Sequence, residues 1–343
     1  VKKRQHAAER YEDLYSINGE RELRESISRF VTTYCAKTNY AGKMLEIDGY
    51  ALWNTRAQVI EANKARREQS AKVIQNRNNQ RAERKISQLI NENYTTGDLE
   101  LMASFIKEPE NGKEAHRALD WFVRELRERY QEQGIELRYL YVDESEGKDG
   151  EPLRFHYHIF MNLDGVIDRD MVEDLWRSRF GIANGTRLFE TEFGLTGFAK
   201  YVLKAPLAVK NRRKWGCSRN MRKPEEHRSA RLPNGKTLTK KRMLDLLENR
   251  VDPRKFFEDA YKGYRFIDIR AKQSEFVGGV YLYVRMRKID EPDSRTPSAC
   301  APARHARTNI KSVTTTRQRG SGAGGMPDPD PDNRTKEKEQ KNE

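Results

Sequence analysis

The chain has 343 residues, with 66 Lys and Arg against 52 Asp and Glu, a formal net charge of +14 and a hydrophobic fraction of 36%. That length holds one substantial domain or two, and the charge favours a polyanionic partner, nucleic acid first. Three scattered cysteines form neither a disulfide framework nor a zinc module, no apolar run has membrane-spanning length, and Val1-Lys2-Lys3-Arg4 does not begin a secretory signal. A reducing compartment and no membrane are therefore expected.

Residues 9–30 are polar with helical spacing, and Tyr40 to Tyr50 reads as a short strand or an ordered loop. From Thr55 to Asn91 there is neither proline nor glycine, which predicts one long helix or two consecutive ones. Arg66, Arg67, Lys72, Arg77, Arg81, Arg84 and Lys85 make it basic, with a face that is either solvated or turned to DNA. Residues 1–85 are thus expected to be mostly helical.

Leu99 to Phe105 alternates and predicts a strand. A helix follows from Gly112 to Gln131, with Leu119, Phe122, Val123, Leu126 and Tyr130 on one face. Ile135 to Val142 predicts a second strand ending in Asp143-Glu144, and Arg154 to Leu163 a third, joined to it as a hairpin by a charged, glycine-containing loop. Asp168 or Asp170 caps a helix through Arg179. Arg187 to Phe193 reads as a further strand, and Thr196 caps a helix carrying Phe198 to Leu203. This order predicts an α+β fold on a central, largely antiparallel sheet, close to a split βαβ plan.

Residues 201–250 carry 15 Lys and Arg against four Asp and Glu, a net of +11. Trp215 stands in the run Arg212-Arg213-Lys214-Trp215, with Arg219 just beyond. Basic residues around an aromatic suit phosphate contacts with base stacking. Phe256, Phe257, Tyr261 and Tyr264 fit a helix, and Phe276 to Met286 a strand. Ser, Thr, Pro, Gly and charge dominate beyond Asp290, which predicts a disordered tail over 290–343.

The chemistry-bearing stretch is Arg154-Phe155-His156-Tyr157-His158-Ile159. On a strand, i and i+2 share a face, so His156 and His158 point together while Tyr157 points away. The hairpin brings the acidic end of the preceding strand close to them. Glu144 is the candidate third ligand and Asp143 the fallback. Two imidazoles and one carboxylate suit Mg²⁺ or Mn²⁺ with open positions for phosphate oxygens. Tyr201 and Lys204 stand three apart on the following helix and share a face. A tyrosine hydroxyl is a nucleophile once aligned, and a nearby lysine lowers its pKa, orients phosphate or protonates the leaving oxygen.

In their order and spacing these residues resemble the histidine-hydrophobic-histidine (HUH) superfamily of rolling-circle replication initiators, the single-tyrosine type of plasmids and bacteriophages. His156-Tyr157-His158 matches its metal motif, and Tyr201-Val202-Leu203-Lys204 its nucleophile motif. Leu99 to Phe105 falls at its first strand motif, Asp143-Glu144 at its acidic pair, and Lys214 to Arg219 at a downstream element. The resemblance covers residues 86–222. It implies an endonuclease domain there, a basic α/β extension over 223–289, and a cytoplasmic protein of a bacterial host. The implied activity is nicking of single-stranded or extruded origin DNA through a covalent 5′-phosphotyrosine, with host helicase and polymerase as partners. Leu-Met-Ala-Ser-Phe departs from a threonine-rich first motif, and no P-loop is present. Relaxases of this superfamily usually bring a third histidine, which is lacking here, and its transposases are usually much shorter. The reading from a different class is a basic nucleic-acid-binding protein without catalysis.

Overall fold

The computed structural model describes residues 31–53, 71–146, 152–202, 208–209, 212–273 and 280–290, with isolated helical positions at 56, 57, 60 and 64. In chain order the elements are β1 (Val31–Ala41), β2 (Met44–Trp53), α1 (Ala71–Asn93), β3 (Leu99–Ser104), α2 (Gly112–Glu132), β4 (Tyr139–Glu146) and β5 (Pro152–Met161). Then come α3 (Arg169–Arg177), β6 (Ala183–Arg187), α4 (Thr196–Val202), β7 (Ala208–Val209), β8 (Arg212–Arg213), β9 (Trp215–Cys217) and β10 (Glu225–Ser229). The last are α5 (Lys240–Leu247), α6 (Pro253–Ala260), β11 (Tyr264–Gln273) and β12 (Val280–Lys288). The expected helix over 9–30 and the expected tail from 291 onward lie outside the described residues.

The fold is α+β, with two five-stranded antiparallel sheets where one was expected. The first sheet has the order β6-β3-β5-β4-β9. Its strands alternate strictly. Leu99, Leu101, Ala103, Tyr157, Ile159 and Met161 point to one face, where they bury against Leu119, Phe122 and Leu126 of α2 and Trp176 of α3. The other face presents Leu140, Val142 and Phe160 to Ile86, Leu89 and Ile90 of α1 and to Ala199 and Val202 of α4. The caps are local. Asn111 accepts from the amides of Lys113 and Glu114 at the start of α2, and Asp168 accepts from the amide of Asp170 at the start of α3.

The second sheet, β10-β1-β2-β12-β11, corrects the expectation for residues 1–85. Residues 31–53 form a hairpin, with Thr38 opposite Ile47, and Val284 of β12 pairs with Ile47 on its other side. The N-terminal strands and the basic extension thus share one sheet. Leu45, Ile47, Leu282, Val284 and Met286 bury beneath Met243 and Leu246 of α5 and Phe256 and Phe257 of α6. The alternate residues of β2 and β12 are polar and meet α1. Arg84 donates to Glu46 at 2.7 Å and makes two 2.9 Å bonds to Asp48, and its guanidinium stacks 4.5 Å from the Tyr283 ring centroid. Arg84 is therefore a bidentate structural anchor, neither a freely solvated residue nor a DNA-facing one.

Two further expectations are corrected. The strand after α3 is Ala183–Arg187, not Arg187 to Phe193. Its inward positions are small because the strand passes close to α3: a Cβ on Gly185 would lie 2.9 Å from Glu173 Oε1 and 3.0 Å from Leu99 Cδ1. The expected helix through Tyr264 ends at Ala260, because Gly263 at φ +82° turns the chain and Tyr264 begins β11.

Candidate metal and tyrosine site

Strand register assembles the site. His156 lies opposite Glu144 on β4 and Ser104 on β3, while His158 lies opposite Val142 and Met102. Directly paired residues share a sheet face, so both histidines and Glu144 stand on the face that carries α1 and α4. Asp143 pairs with Tyr157 and alternates to the opposite face, where it is 4% exposed, which removes it as the fallback ligand.

The three side chains converge. Glu144 Oε2 lies 3.1 Å from His156 Nε2 and 3.5 Å from His158 Nε2. One donor atom from each of the three falls within 4.8 Å of the others, so the group can hold a metal ion. The donor set tests this fit chemically. His156 Nδ1 sits 2.8 Å from the Arg154 carbonyl oxygen, which only accepts and so fixes the ring hydrogen on Nδ1. His158 Nδ1 sits 2.7 Å from Glu100 Oε1, which does the same for the second ring. A neutral ring held this way turns its Nε2 lone pair to the Glu144 carboxylate, where an ion would sit, whereas a ring protonated on both nitrogens donates to Glu144 from Nε2. That arrangement, with each imidazole held at its far nitrogen by a carbonyl or carboxylate, is the one metal-binding histidines require.

Glu100 was not among the candidates from sequence. It lies between Leu99 and Leu101 on β3, where alternation alone marks only a polar position. The β3–β5 register, which sequence does not disclose, puts it beside His158. It is 6% exposed.

The electrostatics follow from this packing. Burial pushes the Glu144 carboxyl up, but hydrogen bonds from His156 and His158 outweigh it and hold the group down at about 2. Burial pushes the His158 imidazole down, and hydrogen bonds to Glu100 and Glu144 reverse that, raising it to about 9. Without a metal, a proton on His158 occupies the place a cation would take.

Tyr201 reaches the same place from α4. Ala199 and Val202 anchor this helix in the core, leaving Tyr201 57% exposed with its ring 6.0 Å from the His158 ring and nearly perpendicular to it. The helix start is fastened to α1 through Asn91, which accepts from the Leu195 amide at 2.9 Å and donates to Thr196 Oγ1 at 3.3 Å. The preceding Gly194 has φ +60°, and a Cβ there would lie 2.3 Å from Asn91 Oδ1. Glycine is needed for both reasons. A cavity of about 370 Å³ opens beside Tyr201 and His158, walled by Glu100, Met102, Asn184, Thr186, Phe189 and Phe198.

The basic candidates divide. Lys214 is 2% exposed, so its side chain is buried and not a DNA contact, and its carbonyl accepts from the Asp143 amide of β4 at 2.8 Å. Trp215 is partly buried against the core that holds α1 and α4. Arg219 is exposed. The backbones of Arg212 and Arg213 form β8, while their side chains, and Lys204 altogether, lie outside the described residues. No described helix is long and apolar enough to cross a membrane.

Compared with family models, curated proteins and solved structures, the chain matches none of them.

Proposed function

We propose that this chain is a rolling-circle replication initiator, a metal-dependent endonuclease and strand transferase that nicks single-stranded or extruded origin DNA through Tyr201. The observation that carries the reading is the meeting of two elements on one sheet face. Glu144, His156 and His158 form a metal-competent triad, and an exposed tyrosine on a separately anchored helix stands 6.0 Å from His158, ring to ring. A core histidine pair would need neither fixed tautomers nor an accessible tyrosine beside it.

His156 Nε2, His158 Nε2 and Glu144 would hold Mg²⁺ or Mn²⁺. When bound, the ion supplies positive charge to the non-bridging oxygens of the scissile phosphate. Glu100 and the Arg154 carbonyl keep the two imidazoles in the ligating tautomer. The Tyr201 hydroxyl gives its proton to solvent as its oxygen attacks phosphorus in line, a P–O bond forms to the phenol, and the bond to the 3′-oxygen breaks. Lys204, three residues on, is the proposed proton donor to that leaving oxygen. The product is a 5′-phosphotyrosine and a free 3′-hydroxyl, and the stored bond energy permits rejoining without ATP. Arg212, Arg213, Trp215 and Arg219 are proposed to track the DNA strand, while host helicase and polymerase extend the 3′ end.

The test is incubation of wild type and Tyr201→Phe with labelled single-stranded origin DNA and Mn²⁺, read on a denaturing gel. A slow protein–DNA band in wild type alone supports the reading. Cleavage without such a band points to hydrolysis by activated water. Binding without cleavage points to a nucleic-acid-binding protein.

A further inference from the structure

The cavity beside Tyr201 has walls that the nicking chemistry does not use. In sheet register Asn184 of β6 lies opposite Met102 of β3, and Met102 lies opposite His158 of β5. The three therefore stand in one row across the same face, with Asn184 two strand spacings, roughly 9–10 Å, from His158. Thr186 lies opposite Glu100 in the next row. Both Asn184 and Thr186 are exposed at the sheet edge. Phe189, which also lines the cavity, is 58% exposed and packs edge-on against Phe198 at 5.1 Å.

A large exposed aromatic sharing a cavity lining with an amide and a hydroxyl is poor chemistry for a folded core and good chemistry for a flat, polar-edged ring. The wall bearing Phe189 is also preformed. Arg287 of β12 pairs with Glu190 at 2.6 Å and donates to the Thr191 carbonyl, and the Arg285 guanidinium lies 4.5 Å from the Phe193 ring centroid. The second sheet thus holds the 189–193 loop in place, so little ordering cost falls on binding.

We propose that this cavity takes a single unstacked nucleobase of the DNA strand, from a nucleotide next to the scissile phosphate, and that Asn184 selects adenine there. The identity of the occupant rests on the nicking reading, because the cavity opens directly beside Tyr201 and His158. Phe189 supplies a stacking face, which every base accepts. With a purine's N7 edge turned to it, the Asn184 amide, donating once and accepting once, matches adenine's N7 and exocyclic amine and not the two acceptors of guanine. The pocket gives the enzyme a means of choosing where to cut that the metal triad and the tyrosine lack.

Two assays on the full chain separate this proposal from the reading beneath it. In the first, wild type, Asn184→Ala and Phe189→Ala react with a randomised single-stranded DNA pool and Mn²⁺, and the ends of the covalently captured strands are sequenced. Wild type should enrich adenine at one position flanking the cut. Asn184→Ala should lower that enrichment about tenfold and leave the other positions unchanged. In the second, deoxyadenosine monophosphate is added to the protein in EDTA, and saturation transfer from protein to the adenine ring protons is recorded by NMR. Wild type should show transfer, and Phe189→Ala should bind at least about fivefold more weakly.

Adducts whose flanking bases ignore both substitutions overturn the pocket and leave the nicking reading standing. Failure to form adducts, with saturation transfer that needs Phe189, overturns nicking and leaves a base pocket. Neither adduct nor transfer overturns both. Because Asn184 and Phe189 are exposed, neither substitution threatens the fold.

Discussion

Replacing Glu100 with glutamine tests the site at a residue that orients a candidate metal ligand without being one. Glu100 Oε1 holds His158 Nδ1 at 2.7 Å in a setting where both side chains are almost fully buried. His158 is raised from 6.5 to about 9 against the opposing effect of burial, with Glu100 and Glu144 as the cause. That rise favours the protonated ring by about 3 kcal/mol net of burial, so the two carboxylates together contribute more than this. Glutamine keeps the shape and removes the charge, and its amide also lets the ring flip to the non-ligating tautomer. Loss of such a partner typically weakens metal binding by about 10- to 100-fold, or roughly 1.4 to 2.7 kcal/mol. Mn²⁺ titration followed by electron paramagnetic resonance measures this directly, and circular dichroism verifies the fold. A folded Glu100→Gln protein with wild-type Mn²⁺ affinity would refute the reasoning, because His158 would then need no orienting partner.

Further outcomes follow from the same geometry. The stability of the protein in EDTA should depend on pH on both sides of neutrality. The share from His158, whose folded value is raised, is fully present below its unfolded value near 6.5 and is lost as pH rises through about 9. The share from Glu144, whose folded value is lowered, is present above about 4.5 and is lost as pH falls towards about 2. Thermal melts across this range should therefore give a plateau between about pH 5 and 6.5, and a flat alkaline side would contradict the His158 assignment. Gly194→Ala should lower stability by about 1–3 kcal/mol and slow adduct formation by tilting α4, since it combines a positive φ with a 2.3 Å contact to Asn91; unchanged melting and rate would show that the turn adapts. Arg219→Ala should reduce the salt dependence of single-strand binding by about one counterion, whereas Lys214→Ala should lower the melting temperature and leave that dependence alone. The reverse pattern would put Lys214 on the DNA.

Local spacing exposed the centre of the site. Two histidines separated by one aromatic on an apolar strand, and an acidic pair at the far end of a short hairpin, sufficed to group His156, His158 and Glu144, because hairpin register is a short-range property. The helices α2 and α3 were legible for a similar reason, since their apolar residues recur at helical spacing and their caps are adjacent in sequence. Glu100 was hidden because its partner lies 58 residues away, and the β3–β5 pairing is set by tertiary packing. The second sheet was hidden in the same way. Residue Ile47 pairs with Val284, and nothing in the periodicity of either segment names the other. Strand β6 was missed because Asn184 and Gly185 are poor strand formers, held in the sheet by the strand beside them, while the better-looking alternation after Arg187 forms a loop that walls the cavity. Lys214 misled because a basic run reads as surface, and the burial of one of its members appears only once the strands are placed.

The central claim is that Tyr201 becomes covalently joined to DNA, and mass spectrometry of the trypsin-digested adduct tests it most directly. Lys200 and Lys204 flank the residue, so digestion releases Tyr201-Val202-Leu203-Lys204. The account predicts that this peptide carries a 5′-linked nucleotide after reaction with single-stranded origin DNA and Mn²⁺, and that EDTA abolishes the modification. A nucleotide on another tyrosine, or cleaved DNA with this peptide unmodified, would contradict it.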